Sequence, residues 1–183
     1  MKRVLFILST LEDEDVEWLA AAGEKRLIAE GRSLITVNVP IDALFIVLDG
    51  ALSVRLGRNE EEIGQVTAGE VLGEVSLLDS RPPVASVVAL EDSFVLAIPH
   101  AALKHKLDVE ERFAARFYRA LGRFLAHRQR AQLVRLGYAG EDTLDENLDE
   151  ESLDPELLDE LSLVGRRFGT LLRRMGVEPS RDL

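Results

Sequence analysis

The sequence predicts a mainly β protein with flanking helices: an antiparallel β-roll, jelly-roll-like in outline, followed by a long helix and a short terminal helix. Two patterns point there. Between residues 32 and 98 short runs rich in β-branched residues alternate with Gly, Asp, Asn and Pro. That spacing suits strands and tight turns and leaves no room for the crossover helices of a parallel sheet. From Ala101 to about Leu136 the apolar residues instead fall at steps of three and four, the period of an amphipathic helix.

The elements follow in order. Residues 1–22 are expected to hold an N-terminal helix beginning near Ser9 or Thr10, with Glu12 or Asp13 returning the capping bond. Val16, Leu19 and Ala20 share its buried face, and Trp18 packs beside it. The apolar run Val4–Leu8 is too short for a signal-peptide core or a membrane span, so a soluble, cytoplasmic chain is expected. Residues 23–100 form the β-roll. Residues 32–39, 44–48, 51–56, 63–66, 85–90 and 93–98 read as strands. Asp49-Gly50 predicts a hairpin turn between two of them, since a primed turn needs positive φ. Turns follow at Gly57–Glu60, Gly69-Glu70 and Glu91-Asp92, with a short helical turn at Gly73–Leu78. Residues 101–137 are the long helix, and 138–183 an acidic linker ending in a short basic helix.

Composition excludes several functions. Cysteine is absent, which removes thiol catalysis, cysteine-based zinc sites and disulfides. The net charge of −11 repels nucleic acid and anionic membranes on average. His100 and His105 are five residues apart and not four, so they make no same-face metal pair. No nucleophile–base pair, metal cluster or P-loop is visible, so neither an enzyme nor a cofactor is expected.

The segment with chemical content runs from Leu72 to Ser86. A glycine there lets backbone approach an anion, and the helical turn after it favours negative charge. Glu74 can accept hydrogen bonds from sugar hydroxyls, or it can cap local amides. Ser76, Arg81 and Ser86 are further candidate donors, with an exposed loop arginine as the plainer reading of Arg81.

At these residues the chain resembles the cyclic-nucleotide-binding domain family, shared by catabolite-activator-type regulators, cyclic-nucleotide-gated channels and kinase regulatory subunits. Leu44–Gly50 resembles the family's central hairpin, Gly69–Leu78 its phosphate-binding cassette, and Val84–Val87 the strand after it. The resemblance covers about residues 10–136. It implies a ligand site made by Gly73, Glu74, Val75, Ser76, Arg81, Val84, Ala85 and Ser86. Gly73 would supply backbone near a phosphate, and Glu74 would hold a ribose 2′-hydroxyl. The implied ligand is a cyclic mono- or dinucleotide of unassigned identity.

The chain departs from the family at two places. The cassette arginine that pairs with the phosphate counts to Pro83, with Arg81 two residues earlier. A lost charge-assisted hydrogen bond is worth about 1.5–3 kcal/mol. Asn38-Val39-Pro40 stands where the family often has a Glu-Gly-Asp turn.

Phe113, Phe117, Leu121 and Phe124 form one stripe, expected as core or, following the resemblance, as a homodimer seam. Arg112, Arg116, Arg119, Arg123, Arg128, Arg130 and Arg135 share that helix. They are expected to meet solvent or the acidic tail, more than nucleic acid. The function expected is a regulatory or sensor module acting through dimerisation and protein partners. The alternative is a structural adaptor with a vestigial pocket. A DNA-binding regulator ranks lower, because only residues 138–183 follow the helix and much of that stretch is acidic.

Overall fold

The computed structural model describes residues 5–57, 59–135 and 155–178. Two helices open the chain, α1 (Leu5–Thr10) and α2 (Asp13–Ala22). The expected start at Ser9 or Thr10 is corrected: those residues end α1. The cap of α2 is Glu12, whose backbone N–H donates to the Asp15 carboxylate at 2.8 Å, three residues on, as a capping box requires.

Eight strands follow, interrupted by one short helix: β1 (Glu24–Ile28), β2 (Ser33–Ile35), β3 (Ala43–Asp49), β4 (Ala51–Leu56), β5 (Glu61–Thr67), β6 (Val71–Leu72), α3 (Glu74–Asp79), β7 (Ser86–Ala89) and β8 (Ser93–Pro99). They form two antiparallel four-stranded sheets, ordered β1-β8-β3-β6 and β2-β7-β4-β5. The β4–β5 pair is a true hairpin, with Leu52 opposite Val66.

The hairpin expected at Asp49-Gly50 does not form. β3 pairs with β8 and β6, while β4 pairs with β5 and β7, so the chain changes sheets at Gly50. Gly50 has φ +91°, and a Cβ there would lie 2.8 Å from the Ser93 Cα. Ser93 itself begins β8, just after the chain crosses back from β7 in the other sheet. Two corners packed that closely admit only glycine at Gly50.

Within the first sheet β3 is buried on both faces, which explains its unbroken apolar run. Ala43, Phe45 and Val47 point into the roll with Val54, Val66 and Val87. Leu44, Ile46 and Leu48 point the other way, into a second core shared with the helices.

The single helix expected over 101–136 is two, α4 (His100–Val109) and α5 (Glu111–Arg135). Glu110 sits between them at φ −129°, ψ 88°. Its N–H closes α4 on the Lys106 carbonyl, and its own carbonyl accepts from Ala114 at 2.9 Å. The break lets Leu103 and Leu107 of α4 and Phe113 and Phe117 of α5 enter one core.

The last helix, α6 (Pro155–Met175), is longer than the short basic helix expected. It begins at a proline, whose missing N–H costs nothing in a first turn. Val164, Phe168, Leu171 and Leu172 are buried. Arg167 ties α6 to the N-terminus, donating to Asp13 Oδ1 at 2.7 Å and to the carbonyl of Leu8 at 2.8 Å. The acidic stretch before Pro155 lies outside the described residues.

Within the chain the aromatic stripe is core, the first of the two readings expected of it. Phe113, Phe117, Leu121 and Phe124 are 0–6% exposed within the chain itself. Trp18 meets Phe113 edge-on at 5.5 Å, and Phe113 stacks on Phe117 at 5.7 Å. With α1 packed along α5, these side chains fill the core between the helices. No helix among the described residues is long and apolar enough to cross a membrane.

Candidate functional site

Gly73 ends β6 and opens α3 at φ +86°. A Cβ at that position would lie 2.7 Å from the Ala43 carbonyl oxygen, so the cassette turn packs directly onto β3. Only a residue without a side chain fits both the angle and the approach. The turn delivers Glu74 inward, where it is 2% exposed.

A cavity of about 250 Å³ opens beside this turn. Gly73, Glu74, Val75, Ser76, Arg81, Val84 and Ala85 all line it, as the sequence suggested. Its apolar walls come from Ile35, Ile41, Val54 and Val87, of which the motifs included Val87 alone, and not as a site residue. The size lies just below the usual range of small-molecule sites, which starts at about 300 Å³. A larger groove of about 440 Å³ runs between α2 and α6, but its walls mix Asp13 and Glu17 with Arg166, Arg167 and Arg173. It gathers none of the candidate residues.

The polar groups divide by what they already hold. The Ser76 hydroxyl donates to the Arg81 carbonyl at 2.8 Å, fixing the far end of the cassette. Ser86 does not line the cavity; its hydroxyl oxygen accepts from the Val37 N–H at 3.1 Å. Ser86 therefore secures β7 to the loop after β2. The Pro83 carbonyl accepts from the Asn38 N–H at 2.9 Å, so both places where the sequence departs from the family bond to each other. The Arg81 side chain is 84% exposed, with its guanidinium 3.9 Å from Asp79. It rests on the rim, in line with the plainer reading.

The residue that sequence reasoning missed is Arg128. It stands in α5 among seven arginines, and nothing in the periodicity separates it from the rest. In the structure it lines the cavity, and its Nη1 donates to Glu74 Oε1 at 2.5 Å. Arg116 likewise leaves the solvent, donating to both oxygens of Asp15 at 2.7 and 2.9 Å. The expectation that these arginines meet solvent or the tail is corrected for both: each neutralises a carboxylate that the fold buries.

Burial pushes the Glu74 carboxyl above its ordinary range, and the nearby Arg128 charge opposes that only in part. The Arg128 contact and a bond from the Glu74 backbone N–H together do not repay the desolvation of this carboxylate. The cavity thus holds a buried carboxyl, a guanidinium with most of its donors uncommitted to Glu74, and apolar walls. Such a site can accept a flat apolar group, hydroxyls for Glu74 and an anion for the guanidinium. Among the described residues no three His, Asp or Glu side chains gather to hold a metal ion.

Comparison with known proteins agrees with this geometry. The sequence profile of the cyclic nucleotide-binding domain matches residues 25–109. An uncharacterized NTE family protein of Mycobacterium tuberculosis is 25% identical over 129 residues, 70% of this chain and 22% of its own length. The cyclic AMP receptor protein of Thermus thermophilus is 32% identical over 91 residues, 48% of this chain and 42% of its own length. The chain thus spans less than half of either relative. The N-terminal domain of a transcriptional regulator from Streptomyces coelicolor superposes with a TM-score of 0.59 at 30% identity, covering 72% of this chain and 95% of that domain. With the two-sheet roll, the Gly73-Glu74 turn and the cavity beside it in place, the chain belongs to the cyclic nucleotide-binding domain family.

Proposed function

We propose that this chain is a regulatory module whose cavity takes a cyclic nucleotide and whose helices α4 and α5 carry the bound state to a partner. The observation behind this is the burial of Glu74 inside a cavity that also presents Gly73, Val75 and Ala85. A carboxylate so placed needs hydroxyl donors, and a ribose supplies them. Because Arg128 joins the cavity to α5, a ligand that alters this contact changes how α5 is held. That is the differential contact a two-state response requires. The kinship with a cyclic AMP receptor protein supports the ligand class.

The test is calorimetric titration with cyclic AMP, cyclic GMP and cyclic dinucleotides, paired with thermal unfolding. Binding to the folded state at a hundred times Kd adds about 2.7 kcal/mol, enough to raise the unfolding midpoint measurably. Glu74→Gln should weaken the ligand that binds about tenfold, as expected for a bond to a charged acceptor. The expected homodimer and protein partner belong to this proposal too. Sedimentation of the full chain with and without nucleotide tests the first.

A second reading, an adaptor with a vestigial pocket, is favoured by one observation: Glu74 already has a partner in Arg128. Failure of every cyclic nucleotide to bind at millimolar concentration selects this reading.

A further inference from the structure

We infer that Arg128 supplies the anion-binding charge of this pocket, so that the phosphate of a bound nucleotide is neutralised from helix α5 and not from the cassette. This rests on the nucleotide reading above and assigns a binding residue beyond the matched stretch 25–109.

Beyond the backbone N–H groups at the start of α3, the cassette has little left to offer an anion. Pro82 and Pro83 carry no backbone donor. The Ser76 hydroxyl is committed to the Arg81 carbonyl, and Ser86 lies outside the cavity lining. Two cations line the cavity among the described residues, Arg81 and Arg128. Arg81 projects into solvent, 84% exposed, beside Asp79. An ion there is strongly screened and pairs weakly.

Arg128 differs in three ways. Its guanidinium meets a carboxylate that is only 3% exposed. It is 40% exposed itself, so it is not walled in. A guanidinium also presents five donors in a planar fork, and its bond to Glu74 uses one nitrogen, Nη1.

The electrostatics favour this placement. A phosphate anion entering a cavity with a buried carboxylate is repelled unless a cation lies between the two. Arg128 is the cation in contact with that carboxylate. One edge of its fork serves Glu74 and the other serves the phosphate, while Glu74 keeps its second oxygen for a ribose hydroxyl. Ligand affinity and the seating of α5 on the roll are thereby linked through one side chain.

The experiment compares cyclic AMP and cyclic GMP with their phosphate-free counterparts, adenosine and guanosine. Titrations use the wild-type chain, Arg128→Gln, Arg128→Lys and Arg81→Gln, each checked for folding by circular dichroism. Arg128→Gln should lower cyclic nucleotide affinity about tenfold or more while moving nucleoside affinity by less than about twofold. Arg128→Lys should recover part of the loss, and Arg81→Gln should change little. If Arg128→Gln fails to fold, Glu74→Gln with Arg128→Gln removes both charges and leaves the same ratio to measure. Equal loss of nucleotide and nucleoside overturns the inference by showing a merely structural role, as does a loss carried by Arg81→Gln or a double variant that keeps the wild-type preference for nucleotide. A folded wild-type chain that binds no cyclic nucleotide overturns the nucleotide reading itself, and this inference with it.

Discussion

Two carboxylates in this fold are buried to the same degree, Asp15 and Glu74 at 2% exposure each. Both meet an arginine of the same helix, α5, yet their chemistry diverges. Asp15 lies where α2 packs on α5. There Arg116 grips both of its oxygens, the Glu12 N–H adds a third bond, and Lys106 contributes charge. Burial pushes Asp15 upward, but those groups together hold it below its ordinary 3.8. Glu74 lies where the cassette meets α5, with one bond from Arg128 and one from its own backbone N–H. There burial wins, and its carboxyl stands above its ordinary 4.5. The difference separates a closed structural clamp from an open site. A fully satisfied ion pair fastens two elements together, whereas an under-satisfied one retains capacity for a ligand.

The comparison breaks most readily at the clamp. Asp15→Ala leaves Arg116 without its bidentate partner, and urea unfolding at pH 7 should show a loss of about 3 kcal/mol. Because Asp15 is held below 3.8, its contribution is present above that pH and is lost as pH falls through its lowered folded value. The gap between variant and wild type should therefore close on acidification. A loss that does not change between pH 7 and strong acid would show that the clamp is packing and not charge.

A smaller effect is expected from moving Glu74 without altering it. Gly73→Ala places a Cβ 2.7 Å from the Ala43 carbonyl at φ +86°, and should cost about 1–3 kcal/mol while lifting the cassette from β3. Ligand affinity should fall with stability, whereas Asp15→Ala should leave affinity untouched. The smallest effect belongs to Glu74→Gln. Its raised carboxyl favours folding below pH 4.5, and that advantage is lost as pH rises through the folded value. At pH 7 the neutral amide should be within about 1 kcal/mol of wild type, or more stable, and the difference should vanish in acid. A large loss at pH 7 would make Glu74 a clamp like Asp15 and remove the distinction.

Much of the roll was legible because local rules wrote it. The β4–β5 hairpin, the turn at Gly69 and the helical turn after Gly73 lie where Gly, Asp and β-branched residues placed them. β1 was not legible. Its residues Glu24-Lys25-Arg26-Leu27 are all exposed, and a charged edge strand carries no apolar alternation. Its pairing with β8, Leu27 opposite Phe94, comes from its neighbour. β6 spans only Val71 and Leu72, below the length at which periodicity registers. The Asp49-Gly50 hairpin failed for a related reason. That dipeptide specifies a backbone that turns, but which strands pair across it depends on where Ser93 and the second sheet lie.

In the candidate site the same division holds. The order and spacing of residues determined the cassette, the glycine that its backbone needs, the acid beside it and the proline where a charge is expected. Those are local matters, decided by φ, hydrogen-bond donors and side-chain chemistry within a dozen positions. Tertiary structure alone decided which of the α5 arginines enters the cavity, that the aromatic stripe is packed in the core with α1 and α2, and that burial outweighs charge pairing at Glu74 but not at Asp15. The physical reason is that burial and charge pairing act through space: Arg128 and Glu74 are 54 residues apart in the chain and 2.5 Å apart in the fold.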